Sequence, residues 1–182
     1  MPINSYSIDK ENDMHLRELN NKDAPRMLEW MHDENVIGEL QSDKFRKKNI
    51  TDCLEFINLS QFDDNSVHRA ICDDNDIYVG TVSLKNISRG SKIAEFGIAI
   101  RTDAMGKGYA SIATKQMIDI GLNELGLRKV IWYVRKSNVR ALRFYDKNGY
   151  TRYNAECDGY MNVIAKDLID QDLVWYMVES NM

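Results

Sequence analysis

One stretch, residues 92–123, constrains the fold more than any other part of this chain, because it joins a buried strand directly to a helix. Residues 93–100 form an almost unbroken apolar run with β-branched and aromatic members, which is typical of a strand covered on both faces. The segment DAMGKG follows, and from Tyr109 to Leu122 apolar residues recur at helical spacing. The sequence therefore predicts a strand, a glycine turn and a helix in direct succession.

The glycine turn is a candidate site for an anion. The first N–H groups of a helix have no backbone partners, and they lie at the positive end of the helix dipole. Gly106 and Gly108, on either side of Lys107, would let a phosphate approach the backbone closely. Glycines at a helix entry also serve close packing alone, so the turn by itself leaves both interpretations open.

Two common nucleotide-binding motifs are excluded by their spacing. A Walker motif needs Lys-Ser or Lys-Thr directly after its last glycine, and a dinucleotide fingerprint needs three glycines after an early first strand. Neither arrangement occurs around Gly106. A nucleotide-binding protein that uses this turn without either motif stays a further alternative.

A second pattern follows the predicted helix. Residues 130–134 (VIWYV) predict a strand, and Ser137 or Asn138 is placed to cap a helix that carries Tyr145 on its inner face and ends at Asn148-Gly149. The helix that crosses between the two predicted strands would set residues 94–100 parallel to residues 130–134. The two patterns thus belong to one sheet.

Taken together, the patterns resemble the Gcn5-related N-acetyltransferase (GNAT) family, in the branch that includes ribosomal-protein-alanine and spermidine acetyltransferases. The glycine turn resembles the family's motif A, written Gln/Arg-x-x-Gly-x-Gly/Ala, through Asp103, Gly106 and Gly108. The family's motif B is matched at Asn138, Ala141, Tyr145, Gly149 and Tyr150. The motif-specific part covers residues 94–150, and the resemblance as a domain extends from Met14 onward.

The resemblance implies a single GNAT-like α/β domain over residues 14–182, behind a flexible leader over residues 1–13. Its mixed, mostly antiparallel central sheet would have about seven strands, a V-shaped splay between strands four and five, and helices on both faces. The hydrophobic pattern of the chain predicts elements that agree with this. They are a strand at 15–19, a helix from Pro25, a helix at 51–60 behind a Thr51 cap, a hairpin at 66–86, and a second hairpin of residues 151–157 and 172–178.

The resemblance also implies acetyl-CoA as co-substrate and no metal. Main-chain N–H groups of the turn would hold the pyrophosphate, and the pantetheine arm would insert between the splayed strands. Asn138 would hydrogen-bond the pantetheine arm, or it would serve only as a helix cap. The positions that match the family's coenzyme contacts are Ile98, Ala99, Ile100, Met105, Gly106, Lys107, Gly108, Tyr109, Ala110, Asn138 and Ala141.

The charge at the turn departs from the family pattern. Asp103 places an acid where the family usually has Gln or Arg. We expect Arg101 or Lys107 to supply the positive charge there. Arg140 and Arg143, on the next predicted helix, would meet the adenosine phosphates or face solvent.

Two residues are candidates for the chemistry. Tyr145 matches the family's tyrosine near the coenzyme sulfur, and a phenol with an ordinary pKa of about 10 holds a proton that it can donate to a departing thiolate. The alternative is a tyrosine packed in the core. Glu95 is a candidate for the general base, for an acid that orients the amine, or for an exposed structural charge. A carboxylate of pKa about 4.3 is a poor base unless burial raises that pKa or water relays the proton.

The acceptor is predicted to be a primary amine of a small molecule or of a peptide N-terminus, with an amino-sugar nucleotide as the alternative. In the family, the region that matches residues 30–49 overhangs the acceptor. Segment 158–171 would cover the acceptor site or lie at a dimer interface, and a monomer or homodimer is expected. A non-catalytic acyl-CoA-binding or regulatory module on the same fold is the alternative from another class. The candidates to contact the amine, or else to form a solvated loop with one core tryptophan, are Trp30, His32, Asp33 and Glu34.

Composition excludes several other classes. The chain has 24 Lys+Arg against 28 Asp+Glu and a net charge of -4, without the basic signature of a protein that binds nucleic acid or an anionic membrane. Cys53, Cys72 and Cys157 are scattered, so neither a disulfide framework nor a zinc site is predicted, and a catalytic cysteine is an alternative away from both motifs. No bilayer-spanning run or secretory signal occurs, so a cytoplasmic protein is expected.

Overall fold

A computed structural model of the chain describes residues 14–40, 43–154 and 172–180. The predicted leader, Cys157 and segment 158–171 lie outside these residues. The described strands are β1 (His15–Arg17), β2 (Val67–Cys72), β3 (Tyr78–Ser88), β4 (Ile93–Ile100), β5 (Lys129–Arg135), β6 (Thr151–Tyr153) and β7 (Leu173–Glu179). The described helices are α1 (Ala24–Met31), α2 (Glu34–Leu40), α3 (Asp43–Arg46), α4 (Ile50–Ser60), α5 (Tyr109–Asp119) and α6 (Val139–Lys147).

The seven strands form one sheet in the order β1-β2-β3-β4-β5-β7-β6. Every neighbouring pair is antiparallel except β4 and β5, which are parallel because α5 crosses over between them. The mixed, mostly antiparallel sheet is therefore confirmed. The predicted second hairpin is confirmed as the pair of β6 and β7, and β7 lies between β5 and β6.

Helices cover the sheet on both faces, as predicted. On one face, α5 and α6 pack over a core that includes Phe96, Met117 and Trp132. On the other face, α1 and α4 pack over a second core that includes Met27 and Ile57. β4 runs between the two cores, which explains why its sequence is apolar at nearly every position.

Two local predictions need correction. The helix at 50–60 is capped by Asn49 and not by Thr51, because the Asn49 side chain accepts from the backbone N–H groups of Thr51 and Asp52 while the Asp52 carboxylate accepts from the Asn49 N–H. The first strand stops at Arg17, before the predicted end at residue 19, because the chain turns there into a short 3₁₀ segment capped by Asn20.

The segment over residues 30–49 showed no clear period in the sequence, and it contains α2 and α3. The helix predicted to reach Leu122 continues beyond α5 as a π-helical turn over Ile120–Glu124. Gly121 lies within that turn, and a β-carbon there would come 3.0 Å from Leu84. Among the described helices, none combines the length and apolar character needed to cross a membrane.

Candidate active site

β4 and β5 begin side by side and then separate. They pair at three register positions, of which the last joins Glu95 to Ile131. Beyond that point β4 continues along β3 as far as Ile100, and β5 continues along β7 as far as Arg135. The separation opens a cleft of about 790 Å³. The predicted splay between strands four and five is confirmed.

All but one of the residues predicted at catalytic and coenzyme positions line this cleft. Lys107 does not, although the glycines on both sides of it do. The predicted roles of these residues stay predictions at this point. The lining members of the predicted set are Glu95, Ile98, Ala99, Ile100, Met105, Gly106, Gly108, Tyr109, Ala110, Asn138, Ala141 and Tyr145.

The glycine turn closes one end of the cleft. Gly106 and Gly108 have φ values of 78° and 85°, a backbone conformation that disfavours any residue with a side chain. A β-carbon added at Gly106 would meet nothing within 4 Å, so the space above it is open. Within the described residues, the N–H groups of Gly106, Gly108 and Tyr109 have no backbone acceptor. The turn therefore presents free donors at the N-terminus of α5, where an anion is favoured.

Arg101 already forms ion pairs within the chain. Its guanidinium group lies 3.1 Å from Asp103 and also binds Glu29. The hydrogen bond from Arg101 lowers the pKa of Asp103 below its ordinary value. Asp103 and Arg101 thus neutralise each other beside the turn, and Arg101 is not the free cation that we expected.

α6 supplies other polar groups to this end of the cleft. Asn138 caps α6, since its side-chain oxygen accepts from the backbone N–H of Ala141 at 3.0 Å. No described residue accepts from its amide nitrogen, and Asn138 also lines the cleft, so the two predicted roles of this residue are compatible. Arg140 and Lys147 also line the cleft, and the Arg140 guanidinium donates to the Met105 sulfur at 3.1 Å.

Tyr145 lies in a cluster of aromatic side chains behind the cleft. It is 5% exposed, and its ring packs against those of Trp132, Tyr150 and Tyr176. Burial raises the pKa of its hydroxyl above the ordinary value, so the group keeps its proton at neutral pH. No described residue hydrogen-bonds to this hydroxyl. The phenol is therefore protonated, and no other described side chain binds its hydroxyl.

Glu95 lies on the opposite face of β4 from the Tyr145 cluster. It is 7% exposed, so its interpretation as an exposed structural charge is wrong. Its Oε1 accepts from Lys85 Nζ at 2.8 Å and its Oε2 from Asn86 Nδ2 at 2.9 Å. Burial, and then the charge of Glu95, raises the pKa of the neighbouring Tyr133. Both oxygens of Glu95 are thus engaged before any substrate arrives.

None of the four candidates for acceptor contact lines the cleft, whereas Val36 of α2 does. Trp30 is buried in the second core, and its indole N–H donates to the Tyr78 hydroxyl at 2.8 Å. A ring nitrogen of His32 lies 2.9 Å from the Lys48 carbonyl oxygen. The structure thus places Trp30 as the core tryptophan of the predicted alternative. The four candidates are Trp30, His32, Asp33 and Glu34.

The two acidic candidates are bonded within the chain. The Thr102 hydroxyl donates to the Asp33 carboxylate at 2.6 Å, and this bond is the main reason that the pKa of Asp33 is lowered. Arg46 donates two hydrogen bonds to Glu34, at 2.9 and 2.7 Å, which lowers the pKa of Glu34. Both acids are therefore ionised partners in contacts between neighbouring elements.

Sequence reasoning missed several residues that line the cleft, among them Lys85, Trp132 and Arg135, which β3 and β5 supply. Trp132 is 2% exposed, and its indole nitrogen has no hydrogen-bond partner within the described residues. A buried indole N–H usually has a partner, and no described residue supplies one for Trp132. Lys85 lies on β3, the strand that precedes the strand of Glu95. Its position indicates a site residue only once the register that pairs Lys85 with Glu95 is known.

A group of possible metal ligands lies elsewhere, at the edge of the sheet. Atoms of His15, Cys72 and Asp76 lie within 4.8 Å of one another. Arg17 donates to Asp76 at 2.6 Å and Lys22 binds the same carboxylate, so two cations already occupy it. Burial raises the pKa of Cys72 to about 12, which keeps it a thiol and not a thiolate ligand. We interpret this group as an ion-pair network around Asp76.

The parallel strand pair, the glycine turn at a helix N-terminus and the buried phenol between them define the class of this protein: an α/β domain built to hold an acyl-coenzyme A. The chain belongs to the acetyltransferase (GNAT) domain family, which it matches over residues 13–151. The predicted family is therefore confirmed.

Among curated proteins, the chain is similar to the spermidine N(1)-acetyltransferase of Escherichia coli strain K12, with 33% identity over 101 residues. This match covers 53% of the chain and 54% of that relative. The aligned part thus spans about half the length of the relative.

Among solved structures, the chain is similar to the spermidine N-acetyltransferase of Vibrio cholerae in complex with CoA and spermine. The TM-score is 0.76 at 19% identity, over 92% of this chain and 95% of that one. A dodecameric structure of the Vibrio cholerae spermidine N-acetyltransferase gives a TM-score of 0.69 at 21% identity, over 92% and 94% of the two chains. At these identities the likeness shows the fold, and it confirms the predicted architecture.

Proposed function

We propose that the protein is an N-acetyltransferase that uses acetyl-CoA to acetylate a primary amine of a small molecule or of a peptide N-terminus. One observation carries the proposal: a single cleft joins the free backbone donors of the glycine turn to the buried phenol of Tyr145. Membership in the acetyltransferase family supports transfer of an acetyl group. Cys53 and Cys72 are buried outside the cleft, which favours direct attack in a ternary complex over an acyl-enzyme.

The residues present suit the coenzyme. The pyrophosphate would bind the backbone N–H groups of Gly106 and Gly108 at the N-terminus of α5, with Arg140 and Lys147 nearby. The edge of β4 that has left β5 would hydrogen-bond an extended pantetheine arm as a neighbouring strand does. The positions on this edge are Ile98, Ala99 and Ile100.

The reaction needs a nucleophile, a place for the developing charge and a proton for the leaving group. A neutral amine attacks the thioester carbonyl, the C–N bond forms and the C–S bond breaks. The thiolate then takes the proton of the Tyr145 hydroxyl. Because burial raises the pKa of Tyr145, this proton is retained at neutral pH and transferred as the thiolate charge develops.

Glu95 serves as a positioning group and not as the general base. Lys85 and Asn86 each donate to one of its two oxygens, so both oxygens already accept hydrogen bonds within the chain. We therefore assign the amine proton to water at the open end of the cleft. Glu95 fixes the ammonium of Lys85 beside the reaction site.

The test is a thiol-release assay with acetyl-CoA and a panel of polyamines, amino sugars, nucleotide sugars and peptide N-termini. The expected result is stoichiometric release of free thiol together with an N-acetylated product detected by mass spectrometry. Acetyl-CoA binding without thiol release from any amine would instead identify a non-catalytic acyl-CoA-binding module. ATP that displaces acetyl-CoA in a thermal-shift assay would identify a nucleotide site at the Gly106 turn.

The assembly is proposed separately. A monomer or a homodimer stays the prediction for this chain. Light scattering on the purified protein measures the mass of the assembly. A mass above that of a dimer would contradict this prediction.

A further inference from the structure

We propose that the acceptor amine belongs to a molecule that also carries an anionic group, a carboxylate or a phosphate, and that Lys85 and Arg135 bind this group. The inference rests on the proposed acetyl transfer and specifies its acceptor. Polycationic amines are accordingly poor acceptors. Three observations carry it: the position of Lys85, the guanidinium of Arg135, which has no carboxylate partner among the described residues, and the pairing of the described acids nearby.

Lys85 places an ammonium group in the mouth of the splay. It lies opposite Glu95 in the register of β3 and β4, with its Nζ 2.8 Å from Glu95 Oε1. Its side chain passes over Gly97, since a β-carbon added there would lie 3.3 Å from Lys85 Cε and 3.5 Å from its Nζ. Gly97 belongs to the part of β4 that has separated from β5. The ammonium is partly exposed and retains donors for a second anion.

Arg135 lines the same cleft from β5. Side chains alternate along a strand, and Trp132 and Val134 enter the core beneath α5 and α6. Tyr133 and Arg135 therefore lie on the other face, which is the face of Glu95. No described carboxylate pairs with the Arg135 guanidinium. A planar guanidinium without a carboxylate is suited to bidentate binding of a carboxylate or a phosphate.

Several described acids near this face are already paired with cations. Glu95 is the only carboxylate among the described residues that line the cleft, and Lys85 pairs with it. A polyamine needs several unpaired carboxylates for its charges, whereas an amine with an anionic group meets two cations and one neutralised acid. Three further acids among the described side chains are paired: Glu29 and Asp103 with Arg101, and Glu34 with Arg46.

The cleft thus has two separate groups of cations. Arg140 and Lys147 come from α6, near the glycine turn where the coenzyme phosphates are proposed to bind. Lys85 and Arg135 come from β3 and β5 and lie on the other face of the sheet. Because each group has its own face, one serves the coenzyme and the other serves the acceptor.

The experiment compares thiol-release kinetics for matched amines. The amines are glucosamine against glucosamine 6-phosphate, a dipeptide amide against the same dipeptide with a free carboxylate, and spermidine. We expect the anionic member of one pair to have a KM about tenfold or more below that of its neutral partner and below that of spermidine. The pair that responds identifies phosphate or carboxylate as the anion. A wild-type preference for spermidine overturns the inference.

Substitutions of Lys85 and Arg135 test whether these two cations cause the preference for an anionic amine. Lys85→Gln, which keeps a donor for Glu95, and Arg135→Gln should raise the KM for the anionic amine about tenfold and leave the KM for acetyl-CoA unchanged. Lys85→Gln should also lower the KM for spermidine, because Glu95 becomes available to a cation. Lys115→Gln and Arg128→Gln remove exposed charges outside the cleft and should change neither KM.

The possible results separate the two proposals. If Arg135→Gln raises only the KM for acetyl-CoA, the guanidinium belongs to the coenzyme site and the inference is overturned. Thiol release with spermidine or neutral amines alone also overturns it, and leaves the proposed acetyl transfer intact. If no amine releases thiol, the acetyl transfer itself is refuted, and the acceptor assignment with it.

Discussion

The phenol ring of Tyr145 packs against the indole ring of Trp132, with 5.2 Å between the ring centroids and 54° between the ring planes. Both rings are buried, and both line the cleft between β4 and β5. This contact holds the Tyr145 hydroxyl at the back of the cleft without a hydrogen bond from any described residue. The packing fixes the position of the phenol oxygen, and no described acceptor competes for its proton.

Tyr145→Phe should therefore lower kcat by about 100-fold, because the thiolate loses its proton donor while the ring and its packing remain. The affinity for acetyl-CoA, measured by titration calorimetry, should change little. Tyr150→Phe is the matched control: its ring lies 5.8 Å from that of Tyr145 in the same cluster, but it does not line the cleft. Equal losses of kcat in the two variants would show that only the packing of the cluster matters.

Gly106→Ala should weaken acetyl-CoA binding about tenfold, because a methyl group would occupy the open space above the turn. It should also reduce the free energy of unfolding by about 1 kcal/mol, since φ is positive at this position. Gly126→Ala provides the control, as Gly126 has a φ of 63° and equally open surroundings outside the cleft. We expect the two variants to have similar unfolding midpoints and Gly106→Ala to bind acetyl-CoA more weakly than Gly126→Ala. Equal affinities would contradict the proposal that phosphate binds at the glycine turn.

The geometry of the proposed coenzyme half of the site was predictable from sequence because it depends on local signals. Positive φ at Gly106 and Gly108 needs glycine, the run of apolar residues marks a central strand, and Asn138 is a strong helix cap. Each signal lies within a few residues of the structure that it specifies. The hydrophobic pattern and the crossover predicted the parallel pair of β4 and β5, and the family resemblance implied the splay between them.

The acceptor half was not predictable, because it depends on register and on contacts distant in sequence. Lys85 meets Glu95 only through the pairing of β3 with β4, which is interrupted by a shift between Lys85 and Ser88. α2 and α3 showed no periodic pattern, and the candidates chosen on and beside them are bonded to other parts of the chain. A lone tryptophan in such a segment predicts a core residue, as Trp30 proves to be.

Asp23→Asn should lower the free energy of unfolding by about 3 kcal/mol. Asp23 is 1% exposed, and its carboxylate accepts two hydrogen bonds of 2.8 Å from Arg17 as well as one from the Asn20 backbone N–H. The change removes the buried anionic partner of Arg17, which then keeps only its ion pair with Asp76. Chemical denaturation followed by circular dichroism measures the loss.

The control for this prediction is Glu34→Gln, which breaks a bidentate pair of similar geometry with Arg46 at the exposed surface. Its unfolding midpoint should stay close to that of the wild type, because solvent screens the exposed pair. A loss for Glu34→Gln as large as that for Asp23→Asn would contradict the argument from burial.

His68 should make the stability of the protein depend on pH between about pH 4 and 6.5. Its ring packs edge-on against Phe56, with 4.8 Å between the centroids, and its Nδ1 lies 2.7 Å from the Ser83 hydroxyl oxygen. Burial lowers the pKa of His68 to about 4, below the ordinary value of 6.5. Between these values the unfolded chain binds more protons than the folded one, so stability falls as the pH falls.

Above pH 6.5, the protonation of His68 does not reduce the free energy of unfolding. As the pH falls towards 4, it lowers the free energy of unfolding by about 2 kcal/mol. His68→Gln removes the titrating group and retains a polar partner for the Ser83 hydroxyl, so its free energy of unfolding should vary less between pH 7 and pH 4.5 than that of the wild type. His32→Gln changes an exposed histidine and should retain the wild-type dependence. Urea denaturation at the two pH values gives the free energy of unfolding of the wild type and both variants. If that of His68→Gln depends on pH as strongly as that of the wild type, groups other than His68 cause the effect.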